Sequence, residues 1–215
     1  MPRDSSSLEQ LLENPHVWRG RAHAQTEAGL SSGYEKLDRH LPGGGWPQHS
    51  LTEILTEQYG IGELKLLMPA LSRLSADDPV VPYTEPGWIA WVAPPFQPYP
   101  PALDAWGINL SRLLIVRPKD DSEILWSAEQ ALASGTCAAV LLWPETLNDQ
   151  DSRRLQLAAE KGRSWAIAFR PATARHEPSA AALRIEMQAD QAGTHIHVFK
   201  SRGGRPVRLH SIFSG

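Results

Sequence analysis

Apolar and polar positions along this chain alternate in two periods, and the switches between them mark its elements. Five apolar runs have strand length and end in turn residues: Ser50 to Thr56, Gly87 to Ala93, Leu113 to Val116, Ala138 to Trp143 and Ser164 to Phe169. Between them the apolar spacing is helical. One helix is predicted from about Gly62 to Leu74. Pro69 is expected to kink or shorten it, because its ring removes a donor and crowds the preceding turn. Pro100 and Pro101 start a second helix, which Gly107 closes. Ile124, Leu125, Ala128, Ala131 and Leu132 make a third, and residues 149–161, ending at Gly162, a fourth. Strand and helix in alternation imply parallel crossover units. The last part changes character. Ala182 to Met187 and His195 to Lys200 are strands with short links, followed by Arg205 to Phe213, which fits an antiparallel meander added to the parallel sheet.

The start of the chain is different again. Residues 1–28 read as an arm and linker, and residues 29–215 as the core domain. In the arm, Ser6 and Glu9 have capping-box spacing beside the stripe Leu8, Leu11 and Leu12, so a helix of one to two turns is expected before Pro15. Trp18 and Arg19 follow, an aromatic beside a cation. In the core, Gly33 to Asp38 reads as a short helix capped by Ser32, and Pro42 to Pro47 as a turn.

Composition narrows the class. A hydrophobic fraction of 41% and a charged fraction of 21% are ordinary for a globular chain and argue against global disorder. The net charge of −3 gives no basic field over the whole molecule, so nucleic acid would have to meet a local patch. Cys137 is the single cysteine, which excludes an internal disulfide and fits a reducing cytoplasm. No apolar run approaches the roughly 20 residues of a membrane span, so no membrane contact is expected.

The order of elements resembles the RecA core from about residue 29 to 213. Gly29 to Gly33, Leu37-Asp38, the glycine-rich turn and Leu51-Thr52-Glu53-Ile54 resemble the approach to a RecA phosphate loop. The run His197-Val198-Phe199-Lys200-Ser201-Arg202 resembles the closing meander. Within that superfamily the chain is most similar to the ImuA family, accessory proteins of bacterial damage-induced mutagenesis. Val17-Trp18-Arg19-Gly20, Leu41-Pro42-Gly43-Gly44-Gly45-Trp46-Pro47, Gly60 to Leu64 and Arg154 to Ala159 carry that likeness. The division inhibitor SulA is related to the same group.

The resemblance implies an α/β, RecA-like core with a mostly parallel central sheet, helices on both faces and a C-terminal antiparallel meander. It implies a non-catalytic adaptor in SOS-induced translesion synthesis. The implied partners are the polymerase-like protein ImuB, an error-prone replicative-type polymerase and RecA, with self-association and single-stranded DNA as further contacts. The SulA relationship implies an alternative, a division inhibitor that binds the tubulin-like ring protein FtsZ.

Chemistry supports the non-catalytic reading. A phosphate loop needs G-x-x-x-x-G-K-[ST], in which backbone N–H groups cradle phosphates, Lys neutralises them and the hydroxyl holds Mg²⁺. Here Gly60 and Gly62 supply glycine, but Glu63 falls where Lys belongs and Leu64 replaces the hydroxyl. Two like unit charges about 4 Å apart cost on the order of 4 kcal/mol near a protein surface. Lys65 comes two residues late and, on a helix, points elsewhere. Pro94 and Pro95 stand where RecA-like ATPases place a water-orienting Glu, and Pro144 where they place an Asp for Mg²⁺. Phosphoryl transfer rests on positioning and electrostatic stabilisation. A pseudo-ATPase with no catalytic residue and no cofactor is therefore expected.

Two surfaces remain as binding candidates. Arg170, Arg175, Lys200, Arg202, Arg205 and Arg208 form the main basic cluster, read either as a single-strand backbone contact or as ordinary hairpin and loop charge. Leu11, Leu12, Trp18 and Arg19 form an arm anchor, read either as a contact with a partner or as packing on the chain's own core. His195 and His197 share a strand face without a third ligand at motif spacing, and read as partly exposed strand histidines.

Overall fold

Strand and helix alternate as the hydrophobic pattern predicts. The computed structural model describes residues 28–76 and 87–213. A short helix α1 (Glu35–Asp38) leads to β1 (Leu51–Thr56) and α2 (Glu63–Ser75). Then come β2 (Trp88–Val92), α3 (Pro100–Ala105), β3 (Leu113–Val116), α4 (Asp121–Ala133), β4 (Cys137–Leu142), α5 (Asp149–Gly162) and β5 (Trp165–Pro171). The chain closes with β6 (Leu183–Asp190), β7 (Gly193–Ser201) and β8 (Val207–Leu209). All eight strands form one sheet in the order β3-β2-β4-β5-β1-β6-β7-β8. Strands β1 to β6 pair in parallel, and β6-β7-β8 is the antiparallel meander.

Strand alternation sorts the side chains onto two unlike faces. On one face Ile54, Trp91, Leu141, Phe169 and Ile185 meet Leu66, Leu67 and Leu71 of α2. On the other, the sheet offers Val92, Val140 and Leu142 with Ala90, Ala166 and Ala168, and against these lie Ile124, Ala128 and Leu132 of α4 with Leu155 and Ala159 of α5. The two helices converge at their ends. A Cβ on Gly162 would fall 1.8 Å from the Leu132 carbonyl oxygen, so only glycine fits there. Their starts are fixed locally: Asp120 accepts from the Glu123 amide and Asn148 from the Asp151 amide, both at 2.9 Å.

Two local expectations are corrected. The first helix begins at Glu35 rather than Gly33, and its N-cap is Tyr34; the Ser32 hydroxyl instead accepts from the Tyr34 amide at 3.1 Å. The second concerns Pro69, which lies inside α2 without ending it. Proline at 69 leaves the Lys65 carbonyl without its helical donor. The Tyr34 hydroxyl donates to that carbonyl at 3.0 Å and replaces the missing bond. A residue 31 positions upstream thus repairs the defect that the local sequence predicts. Tyr34→Phe should lower stability by about 1 kcal/mol, read as a lower urea midpoint at unchanged slope. In a Pro69→Ala background the same change should cost less, because residue 69 then supplies an amide to Lys65. Equal losses in both backgrounds would show that the contact does not matter.

Candidate functional site

The loop after β1 is built by hydrogen bonds that turn the chain sharply. The Thr56 hydroxyl donates to the Gln58 carbonyl at 2.6 Å and accepts from the Gln58 amide at 3.2 Å. Gly62 then takes φ 107°, and a Cβ there would lie 2.4 Å from the Phe213 ring. This geometry aims the Gly60 and Ile61 amides at the first turn of α2. Glu63, the first residue of that helix, folds back onto them. Both its carboxylate oxygens accept from the Gly60 amide at 3.0 Å, and one also accepts from the Ile61 amide at 3.0 Å. Glu63 is only 6% exposed.

Converging amides at a helix start attract an anion. Here the anion is the chain's own side chain. The sequence pattern predicts that Glu63 repels phosphate; in the structure its carboxylate occupies the Gly60 and Ile61 amides. Leu64, in the first turn of α2, packs against the core. The Lys65 ammonium lies over the Phe213 ring, 4.6 Å from its centroid. Burial first, and the Glu63 charge second, push the Tyr59 hydroxyl above its ordinary pKa.

Around this loop the strand ends carry aromatic rings. Trp91, Trp143 and Phe169 form a run across β2, β4 and β5, with ring centroids 5.7 Å and 4.6 Å apart. Tyr59 and Phe96 meet edge to face at 6.4 Å. Phe96 and Tyr99 are about 70% exposed. Pro94 and Pro144 are buried at the ends of β2 and β4. Glu145 is exposed, and its amide donates to Asp121 at 2.9 Å.

The basic residues do not form one surface. Arg170, predicted as a nucleic-acid contact, is 3% exposed, which corrects that assignment. Its guanidinium meets Glu53 at 3.3 Å and the Leu147 carbonyl at 2.8 Å, and pairs with Glu177. Glu53 lies on β1, fully buried, where Arg184 of β6 is its direct neighbour and donates to it at 2.7 Å. Arg184 also reaches the Ala174 and Glu177 carbonyls at 2.8 and 3.0 Å. Ser179 donates to Glu53 as well. Two arginines and two glutamates therefore tie the segment 172–182 to the sheet.

Arg175 is likewise engaged: it pairs with Glu186 and lies 5.1 Å from the Phe199 ring centroid. Lys200 donates to the Ser179 carbonyl at 2.6 Å. Burial, then the Arg184 charge, lowers the Lys200 pKa. Arg202, Arg205 and Arg208 remain exposed on the meander. His195 meets Asp190 at 2.9 Å and His210 at 3.3 Å, while His197 meets Arg175 at 3.1 Å. Leu11, Leu12, Trp18 and Arg19 lie outside the described residues. Among the described residues, no helix is long and apolar enough to cross a membrane.

Fold and site together define a mixed α/β protein whose strand ends carry aromatic rings and a loop closed by its own carboxylate. The chain belongs to the SulA family: the family model described as "Cell division inhibitor SulA" matches residues 51–166, from β1 into β5. It is 32% identical over 103 residues to the cell division inhibitor SulA of Photorhabdus laumondii, covering 48% of this chain and 58% of that protein. It is 30% identical over 136 residues to Protein ImuA of Caulobacter vibrioides, covering 61% of this chain and 53% of that protein. The chain thus spans a little over half the length of these relatives. The crystal structure of SulA from Pseudomonas aeruginosa is 27% identical, with a TM-score of 0.44 over 56% of this chain and 97% of that one.

Glu53→Gln should destabilise the fold by about 3–5 kcal/mol, because it leaves buried arginines short of a counter-charge; denaturant unfolding reads this directly. Glu63→Ala should free the loop amides, so that inorganic phosphate binds in the millimolar range where the parent chain shows none. Amide shifts of Gly60 and Ile61 on phosphate titration are the measurement, and identical titrations for both proteins would refute the closed-loop geometry.

Proposed function

We propose that this chain is a non-catalytic adaptor of SOS-induced translesion synthesis, with residues 29–215 as a RecA-like pseudo-ATPase core and residues 1–28 as an arm. The observation that carries this reading is the Glu63 carboxylate seated on the loop amides, where a nucleotide phosphate would have to bind. The likeness to ImuA supports the setting, since it runs over 136 residues where the SulA match of P. laumondii runs over 103. An exposed aromatic edge at Phe96 and Tyr99 suits a protein contact better than a reaction. The proposed partners are an ImuB-type polymerase-like protein, an error-prone replicative-type polymerase and RecA, with self-association and single-stranded DNA as further contacts.

A second reading has its own support. The family model and the P. laumondii relative both bear the name of a cell division inhibitor. In that case the partner is FtsZ and the outcome is arrested division.

Calorimetric titration with Mg-ATP should give no heat of binding at micromolar to millimolar ligand. Pull-downs from damaged cells should recover the polymerase-like protein, and Phe96→Ser with Tyr99→Ser should weaken that recovery at least tenfold without unfolding the chain. Overexpression separates the two readings: FtsZ-dependent filamentation supports the inhibitor and counts against the adaptor. Micromolar ATP affinity would remove the basis of the pseudo-ATPase adaptor reading.

A further inference from the structure

At the opposite end of the sheet, where the parallel strands begin, lies a cleft of about 850 Å³. Three helices finish at its rim: α2 contributes Arg73, α5 contributes Lys161 with Arg163 just beyond it, and α4 ends at Ala133. Arg112, from the turn before β3, and His49, from the turn before β1, also line it. No Asp or Glu is among the described residues that line it. Four full positive charges around one cleft are unexpected in a protein of net charge −3.

The first explanation to weigh is local. Helix C-termini are electronegative, and basic residues in last turns answer that field. Each helix end carries roughly half a negative charge, so three ends fall short of the three full charges of Arg73, Lys161 and Arg163. The Arg73 guanidinium donates to the Ser31 carbonyl at 3.1 Å, a contact that leaves its charge unneutralised. Lys161 and Arg163 are exposed, and among the described residues no carboxylate pairs with either. The surplus is directed outward.

The cleft wall also holds an aromatic plane. Trp88, the first residue of β2, is 40% exposed and lines the same cavity. Past Gln48, His49 and Arg163 the cleft runs into a second cavity of about 460 Å³ that includes Arg202. Glu160, the one acidic residue among the described residues that line it, is shared between Gln156 at 2.7 Å and Arg202 at 3.8 Å. Cations along a groove with an exposed ring in its wall are the features that bind a single-stranded sugar–phosphate backbone and stack its bases. An acidic peptide would use the charges and leave the indole idle.

We propose that this cleft binds single-stranded nucleic acid, with Arg73, Lys161 and Arg163 on phosphates and Trp88 under a base. The proposal names a surface for the nucleic-acid contact within the adaptor reading, and it rests on that reading only for its biological setting. It moves the contact away from the predicted cluster at Arg170 to Arg208 to the other end of the sheet.

The test uses the full-length purified chain and a fluorescent single-stranded oligodeoxynucleotide, followed by anisotropy across a salt series. No partner protein is present, so failure of the adaptor reading cannot mimic failure here. Each phosphate contact on a single strand contributes roughly 0.7 to the slope of log affinity against log salt. Neutralising Arg73, Lys161 and Arg163 to Gln together should therefore lower the slope by about 2 and weaken binding at least tenfold at low salt. Should that triple variant fold poorly, Lys161→Gln and Arg163→Gln singly should each lower the slope by about 0.7. Trp88→Ala should weaken binding roughly five- to hundredfold with the slope unchanged. Arg205→Gln with Arg208→Gln on the meander should stay within twofold of the parent. The proposal is overturned by no binding at low salt, by undiminished binding in the triple variant, or by equal or greater loss in the meander variant. Competition by poly-glutamate as effective as by unlabelled oligonucleotide would identify an acidic protein segment as the ligand instead. A triple variant that melts earlier yet binds normally would assign these cations to the chain's own fold.

Discussion

A buried carboxylate sets the terms for this fold. Glu53 sits in the central strand with no solvent exposure, and an isolated charge there would be prohibitive. Its neutralisation needs Arg170 from β5 on one side and Arg184 from β6 on the other. Both arginines have donors left over, and those are spent on Leu147, Ala174 and Glu177. Satisfying one charge therefore fixes the order of three strands and the path of the segment that joins two of them. Replacing such a cluster by well-packed apolar residues can be neutral or stabilising, whereas removing one member is not. The cluster acts more as a specification of which strands lie together than as a net source of stability.

Much of this architecture is legible in the sequence because it depends on local period. The runs at Leu51, Trp88, Leu113, Cys137 and Trp165 are strands, the intervening stretches are helices, and the closing meander is antiparallel. Charge is harder to read. Arg170 follows five buried strand positions and looks like the first residue of a surface loop, yet its partner is 117 residues away. Nothing in local composition announces Glu53 as that partner. The same limit explains Pro69, whose repair comes from Tyr34 rather than from its own helix. The basic cleft was equally hidden. Arg73, Arg112, Lys161 and Arg163 are scattered singly along the chain and meet only because three helices end at one edge. Glu63 stands out in the sequence as an acidic residue after Gly60 and Gly62, but its turn back onto the loop amides is a three-dimensional fact.

Glu53 and Glu63 answer one electrostatic problem in different ways. One carboxylate satisfies buried arginines, and the other satisfies unpaired backbone amides. In both places the chain consumes its own polar groups internally. The strand ends above the sheet are left with apolar rings at Tyr59, Phe96 and Tyr99, and the surplus cations gather below it. The molecule is thus chemically polarised along its strands, with an aromatic pole and a basic pole. The protein contact proposed at one pole and the nucleic-acid contact proposed at the other would therefore not compete for surface.

The strand order carries a kinetic consequence. Among the described strands β1 is the first to be synthesised, but its neighbours are β5 and β6, with Leu51 set beside Ala166 and Thr52 beside Leu183. No sheet partner for β1 exists until those strands have been made. Glu53 and Arg184 are 131 positions apart. At roughly 5–20 residues per second, the wait between them is on the order of 6 to 26 seconds. During that interval β2, β3 and β4 can already assemble among themselves, since β2 neighbours both of the others. The nascent chain must therefore keep an apolar strand with a central charge unpaired while three of its eight described strands pair without it. Glu53 helps in that interval, because a charge in the middle of an apolar strand discourages association with other chains. A residue that is costly to bury in the finished fold thus protects the unfinished one.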